Sequence, residues 1–275
     1  MRWLATWWPV PILAALGILA IFAPLVATHE PARTSLQDTL LPPWGFDGAS
    51  SEHFLGTDQV GRDIFARIAY GARVSLGIAA MAIIISGILG SILGLLAGFH
   101  GGIIDGMVMR LTDILLALPV FLLAIVVAAS LGASTGLVVG IITVLIWPYF
   151  ARQIRGETLS LKSAEFVTAA RAIGGTNTHI ILRHILPNVL PTIIIFATLQ
   201  VNLVIVTEAS LSFLGVGVPP PASSWGRMVS DGRDVIMTSW WISTIPGVVI
   251  SMVVLSFGFL GDTLRDKLDP ILRRR

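Results

Sequence analysis

Cysteine is absent from all 275 residues, which excludes disulfides and thiolate metal sites. Lysine occurs only as Lys162, after Leu161, and Lys267, after Asp266. A phosphate-cradling loop needs a Gly-Lys step, so this chain has no such loop with which to hold a nucleotide. Charge is scarce as well. Only 12% of residues are charged, against about a quarter in soluble domains. No His/Glu set shows zinc-ligand spacing, and His179 and His184, five apart in a polar stretch, read as solvated. Gly174-Gly175 follows no strand pattern and is no dinucleotide fingerprint. The chain is therefore read as lacking bond chemistry of its own, and not as an enzyme.

What is abundant is apolar surface: 55% of residues are hydrophobic and the mean hydropathy is +0.85. A bilayer crossing takes about 20 apolar residues in a helix. Runs free of Asp, Glu, Lys and Arg cover residues 3–29, 74–104, 114–151, 184–207 and 235–261. At about 1.5 Å per residue the third is roughly 57 Å long, too much for one crossing, and SLGASTG (130–136) offers a turn in its middle. Six transmembrane helices are expected. The runs are continuous and lack the alternation of barrel strands, so the fold class is all-α and polytopic. The first run exceeds a signal-peptide core and shows no small-x-small cleavage site, so it reads as an uncleaved first span.

Basic residues set the orientation. With the amino terminus inside, Arg2, Arg110, Arg152, Arg155, Lys162, Arg171, Arg183, Arg265, Lys267 and Arg273 to Arg275 face inward, against Arg33, Arg62, Arg67, Arg73, Arg227 and Arg233 outside. Both termini are expected in the cytoplasm. The sequence pI near 9.5 is then a topology signal, and no nucleic-acid partner is expected.

Between the spans, HFLGTDQVGRDIFARIAYGARVSL (53–76) places Ile64, Phe65, Ile68 and Ala72 at helical spacing, predicting a piece lying along the outer membrane face. The Gly- and Pro-rich 213–240 segment predicts irregular backbone that must be packed or wet. Ser86, Gly90, Gly94 and Gly98 form a small-residue stripe suited to close helix approach, within the bundle or against a second subunit. Pro119, Pro148 and Pro246 are expected to bend their helices. Asp113 is expected to pair with Arg110 one turn away. Glu208, near the outer end of the fifth span, faces a cavity or a partner.

One inward segment stands out as polar: EFVTAARAIGGTNTHIILRHILPN (165–188). Phe166, Ala170 and Ile173 share a helical face, Gly174-Gly175 terminates the helix, and Pro187 marks entry to the next span. A helix this short is marginal alone. It needs a surface to order it, either a groove on another protein or the lipid interface.

This segment resembles the cytoplasmic EAA loop of ABC importer permeases, with the pattern E-A-A-x3-G-x9-I-x-L-P. Ala169, Ala170, Gly174, Leu186 and Pro187 match; Thr168 and His184 stand where the Glu and Ile would be. FLGTDQVGRDIFARIAYGARVSL (54–76), RLTDILLALPVFLLAI (110–125), EASLSFLGVGVPPPASSWGRMV (208–229) and GDTLRDKLDPILR (261–273) resemble the C-type subunits of the dipeptide, oligopeptide and nickel branch.

The resemblance implies a type I importer permease fold. Residues 1–72 would hold the first helix and outer loop. Residues 73–275 would form the core permease domain, with the EAA loop at about 152–187. It implies a bacterial or archaeal inner membrane and four kinds of partner: a related second permease, one or two ATPase subunits carrying ATP and Mg, an extracytoplasmic solute-binding protein and membrane lipid. Ala169, Ala170 and Gly174 would be close-contact positions toward the ATPase, with Phe166 and Ile173 on the apolar face and Glu165 and Arg171 as polar rim. Dipeptides or oligopeptides are the expected cargo, with nickel or another small solute as the alternative. A secondary transporter would want midplane ionisable groups and an inverted repeat, and the sequence shows neither.

Overall fold

The computed structural model describes residues 7–268. Arg2 and Arg273 to Arg275 of the charge tally, and the ends of the first span and of the 261–273 block, lie outside the described residues. Those residues form helices α1 (Pro9–Ile21), α2 (Ala23–Val26), α3 (Ile64–His100), α4 (Gly102–Ala117), α5 (Val120–Leu131) and α6 (Thr135–Lys162). There follow α7 (Glu165–Ala172), α8 (Asn177–Ile180), a π-helical turn (Ile181–Ile185), α9 (Leu186–Phe213), α10 (Trp225–Asp231), a 3₁₀ turn (Arg233–Val235) and α11 (Trp241–Leu268). No strand occurs among the described residues.

Four segments are long and apolar enough to cross a bilayer: α3, α6, α11 and the continuous run from α8 through α9. The α4–α5 pair, bent by 84°, makes a fifth if it is one broken span. The first helix is interrupted at Phe22, where Pro24 removes a backbone donor and clashes with the preceding turn. Its α1 part has 13 residues, roughly 20 Å of rise, less than the ~30 Å hydrocarbon core. Length alone thus supports four or five crossings among the described residues rather than the expected six. The turn between α5 and α6 falls at Gly132 to Ser134, inside the segment where the sequence placed it. Ser134 caps α6 by accepting from the Leu137 N–H at 3.1 Å.

The amphipathic piece at 53–76 is placed differently from the expectation. It does not lie on the membrane face by itself; its helical part is the first turns of α3, a 37-residue helix about 55 Å long. Ile64, Ile68 and Ala72 are buried in the core. Asp63 starts the helix by accepting from the Ala66 N–H at 2.7 Å.

Packing of α3 along α6 is the main structural joint. The small-residue stripe makes it. A Cβ on Gly90 would lie 2.4 Å from the Trp147 carbonyl oxygen, one on Gly94 2.6 Å from that of Ala151, and one on Gly98 2.8 Å from Thr158 Cβ. Backbones approach this closely only where the side chain is a hydrogen. The stripe therefore serves the chain's own bundle.

The prolines act differently from one another. Pro148 and Pro246 lie inside α6 and α11, as does Pro191 in α9, whereas Pro119 sits between α4 and α5 at the sharp bend. Apolar positions remain exposed along α11 at Val248, Met252 and Leu255.

At the end of the bundle that holds the N-terminus of α3, the two loops interlock. Arg67 is 2% exposed and bonds Asp58 at 2.5 Å and Asp231 at 2.7 Å. Arg62 reaches the same two carboxylates. Trp225, fully buried, donates from Nε1 to the Ile68 carbonyl at 3.1 Å, and Trp241 Nε1 donates to that of Thr57 at 3.1 Å. The 213–240 segment is thus packed on protein, as its backbone requires.

Glu208 is 1% exposed and accepts from Ser212 at 2.8 Å and Ser75 at 3.3 Å. Its partners are serines of α9 and α3, within the chain.

Candidate functional site

At the opposite end, α6 runs to Lys162 and the chain reverses into the polar segment. Ala164 leads into α7, which is eight residues long, too short to persist on its own in water. What orders it is the chain's own bundle. Val167 is fully buried and Ala170 nearly so, in a cluster with Leu95 and Phe99 of α3, Ile154 of α6, Ile180 of α8, Ile185 of the π turn and Val189 of α9. These anchors sit three positions apart, one helical turn. The Arg171 guanidinium also lies 5.9 Å from the centre of the Phe99 ring, a cation–π contact.

Here the expected face divides. Ala170 points into the bundle, whereas Phe166 (41% exposed) and Ile173 (88% exposed) do not. The three do not share one exposed face, because the bundle takes the Val167–Ala170 side. Glu165, Ala169, Arg171 and Gly174 are all exposed. Val167 is the residue that reading the pattern from Phe166 missed; an i, i+3 pair of Val167 with Ala170 was equally available in the sequence.

The helix stops as its glycines dictate. Gly174 has φ +87°; its N–H bonds the Arg171 carbonyl at 3.1 Å and the Gly175 N–H bonds that of Ala170 at 3.0 Å. This pair of bonds with a left-handed glycine is the Schellman C-terminal motif. A Cβ on Gly174 would meet open space, so the glycine is required by its backbone angle and not by crowding. Thr176 then caps α8 by accepting from the His179 N–H at 3.3 Å. His179 and His184 rings meet edge to face, 5.6 Å apart.

The π turn immediately precedes Leu186 and Pro187. Pro187 has no N–H and its ring crowds the carbonyl four residues back; a locally widened helix accommodates it. The loop therefore feeds directly into α9, one 37-residue helical run from Asn177 to Phe213. The second short helix and the next span are one rod.

Two ion pairs tie α4 to α6 near this end. Arg155 grips both oxygens of Asp105, with Nη2 to Oδ2 at 2.6 Å. Arg152 holds Asp113 at 2.7 Å, both side chains being largely exposed. The expected Asp113–Arg110 pair is replaced, because α6 brings a guanidinium across from another helix.

What this arrangement can do is mechanical. A push on the exposed side of α7 reaches α3 and α6 through Val167 and Ala170, and α9 through α8 and the π turn. Nothing in the segment sets up a nucleophile or an acid–base pair.

The family described as binding-protein-dependent transport system inner membrane component matches residues 90–274. The dipeptide transport system permease protein DppC of Bacillus subtilis is 40% identical over 264 residues, 96% of this chain and 81% of the relative. DppC of Alkalihalophilus pseudofirmus is 43% identical, covering 95% and 84%. The oligopeptide permease OppC of Bacillus subtilis is 38% identical, covering 96% and 84%. Among solved structures, a chain of the inward-facing methionine ABC transporter MetNI aligns with a TM-score of 0.60 at 18% identity, over 74% of this chain and 96% of that one. That likeness concerns the fold. Family and relatives together establish that this chain belongs to the binding-protein-dependent transport system inner membrane components, the permease subunits of ABC importers.

Proposed function

We propose that the chain is one half of the translocation pathway of an ATP-driven importer of dipeptides or short oligopeptides, and that α7 is its coupling helix. The observation that carries this reading is the anchoring of α7: Val167 and Ala170 are buried in the bundle while Phe166, Ala169 and Ile173 remain outward. A helix free to slide could not transmit force, and one wholly buried could not receive it. Glu165 and Arg171 frame the outward side, and Gly174 ends it.

In this reading ATP and Mg2+ are handled by one or two partner ATPases whose surface seats Phe166 and Ile173. A paralogous permease completes the pathway, a solute-binding protein delivers cargo at the end bearing the 28–63 and 213–240 segments, and both termini face the cytoplasm. The membrane is the inner membrane of a bacterium or archaeon. ATP-driven closure of the motors moves α7, and with it α3, α6 and α9, shifting the pathway between states. The peptide class is supported by the names of the relatives, which also include a glutathione permease of Escherichia coli O1:K1 at 40% identity.

The test is uptake of labelled dipeptide by proteoliposomes holding the assembled transporter. Ile173→Glu should abolish ATP-dependent uptake while leaving insertion and bundle stability unchanged. Uptake at the wild-type rate would refute the coupling role, and uptake of nickel without uptake of peptide would refute the cargo.

A further inference from the structure

Three donors far apart in sequence meet beneath the outer loop: His29, after α2, His53, in the loop, and Asp63, the cap of α3. One ligand atom from each lies within 4.8 Å of the other two. The His53 Nδ1 sits 2.9 Å from Asp63 Oδ2, and the His29 and His53 rings are in tilted contact, 4.6 Å between centres. His53 and Asp63 are 6% and 3% exposed, so both are held in place before any ligand arrives. A cavity of about 110 Å³ opens beside them, several times what one water needs. Its walls include Glu30, Asp38 and Glu52, against the single cation Arg33. Asp38 is hydrogen-bonded by Ser35, leaving Glu30 and Glu52 to set a negative mouth.

We propose that His29, His53 and Asp63 form a binding site for one divalent transition-metal ion of the zinc type. Two imidazoles and a carboxylate suit such ions and not calcium or magnesium, which prefer oxygen ligands. Donor atoms about 2.0–2.2 Å from one zinc sit up to roughly 4 Å apart, so closing on the ion asks for about an ångström of adjustment. A carboxylate accepts only, so His53 Nδ1–H donates to Asp63 Oδ2 before the ion arrives; the ion replaces that hydrogen between the two atoms, and the imidazole proton shifts to Nε2. Bound there, the ion staples the chain leaving α2 to the first turn of α3. The sequence hides the site because its ligands are 24 and 10 residues apart and follow no zinc spacing.

The test uses the full chain purified without a polyhistidine tag, stripped with chelator, and titrated with Zn2+ by calorimetry and by thermal melting. The expected result is one Zn2+ per chain with a higher melting temperature, and affinity at least tenfold weaker in His29→Ala. His29 is only partly buried, so that variant should fold even where His53→Ala does not. Glu165→Gln, at the opposite end, serves as the control and should bind like wild type. No stoichiometric zinc in the wild-type chain, or equal affinity in His29→Ala, would overturn the proposal.

Discussion

The carboxylate of Asp231 lies 2.7 Å from Nη2 of Arg67, joining positions 164 apart in the chain. Arg67 was counted among the outward loop charges of the sequence, yet it is buried inside a helix. It can be there because Asp58 and Asp231 neutralise it. Burial raises the pKa of the Asp231 carboxyl, and the hydrogen bonds and charges of Arg67 and Arg227 outweigh that, leaving it below the ordinary 3.8.

A depressed carboxylate pKa means stability that is complete above pH 3.8 and lost as pH falls from there through the folded value. Asp231→Asn should cost about 1–3 kcal/mol at neutral pH, as for hydrogen bonds to charged groups. It should also flatten the acid limb of the melting curve below about pH 4. Identical acid limbs in variant and wild type would show that Asp231 is not the group responsible.

Gly90 and Gly87 provide a matched pair on α3. A Cβ on Gly90 would stand 2.4 Å from a backbone oxygen of α6, whereas one on Gly87 would be 3.5 Å from the Phe150 ring, an ordinary contact. Gly90→Ala should lose about 1–3 kcal/mol through forced separation of the helices, and Gly87→Ala should melt close to wild type. Equal melting temperatures for the two would contradict the proposed joint.

Gly174 sits at φ +87° with open space around it. Replacement by Ala should cost about 1–2 kcal/mol of local helix termination, and Asn, which tolerates this region, should cost less. Dipeptide uptake in proteoliposomes should follow the order Gly, Asn, Ala, Val, with insertion unchanged throughout. A Val variant that transports as well as Asn would mean that the left-handed turn is dispensable.

Val167 is buried with Phe99 and Ile154. Val167→Asp should detach α7, speeding proteolysis at 163–176 and abolishing uptake, while Phe166→Ser should leave protease resistance intact and reduce uptake alone. The same protease pattern in both variants would refute the division of α7 into a buried and an outward side.

How much of this was legible depends on whether a feature is local. The glycine end of α7, the turn near 132–134 and the small-residue stripe all rest on neighbours within a few positions, and the sequence shows them. The partner of the stripe comes from α6, some 60 residues later, and periodicity carries no such information. Asp113 was assigned the cation nearest in sequence, whereas α6 delivers Arg152 across the bundle. In the sequence Arg73 bounds the charge-free run that starts at residue 74, whereas the helix continues back through Arg73 and the paired Arg67 to Ile64. In α7 the pattern Phe166, Ala170, Ile173 competed with Val167, Ala170, and only packing decides between two apolar faces one residue apart.

The central claim is that the outward side of α7 is covered by the motor subunit in the assembled transporter. The chain has no cysteine, so Ile173→Cys gives a unique thiol. Its labelling rate by a bulky maleimide should be compared in the isolated chain and in the complex with its ATPases, with Leu36→Cys, 85% exposed at the opposite end, as the reference. Labelling at position 173 should be at least tenfold slower in the complex, with no change at position 36. Equal rates at position 173 with and without bound ATPase would contradict the claim.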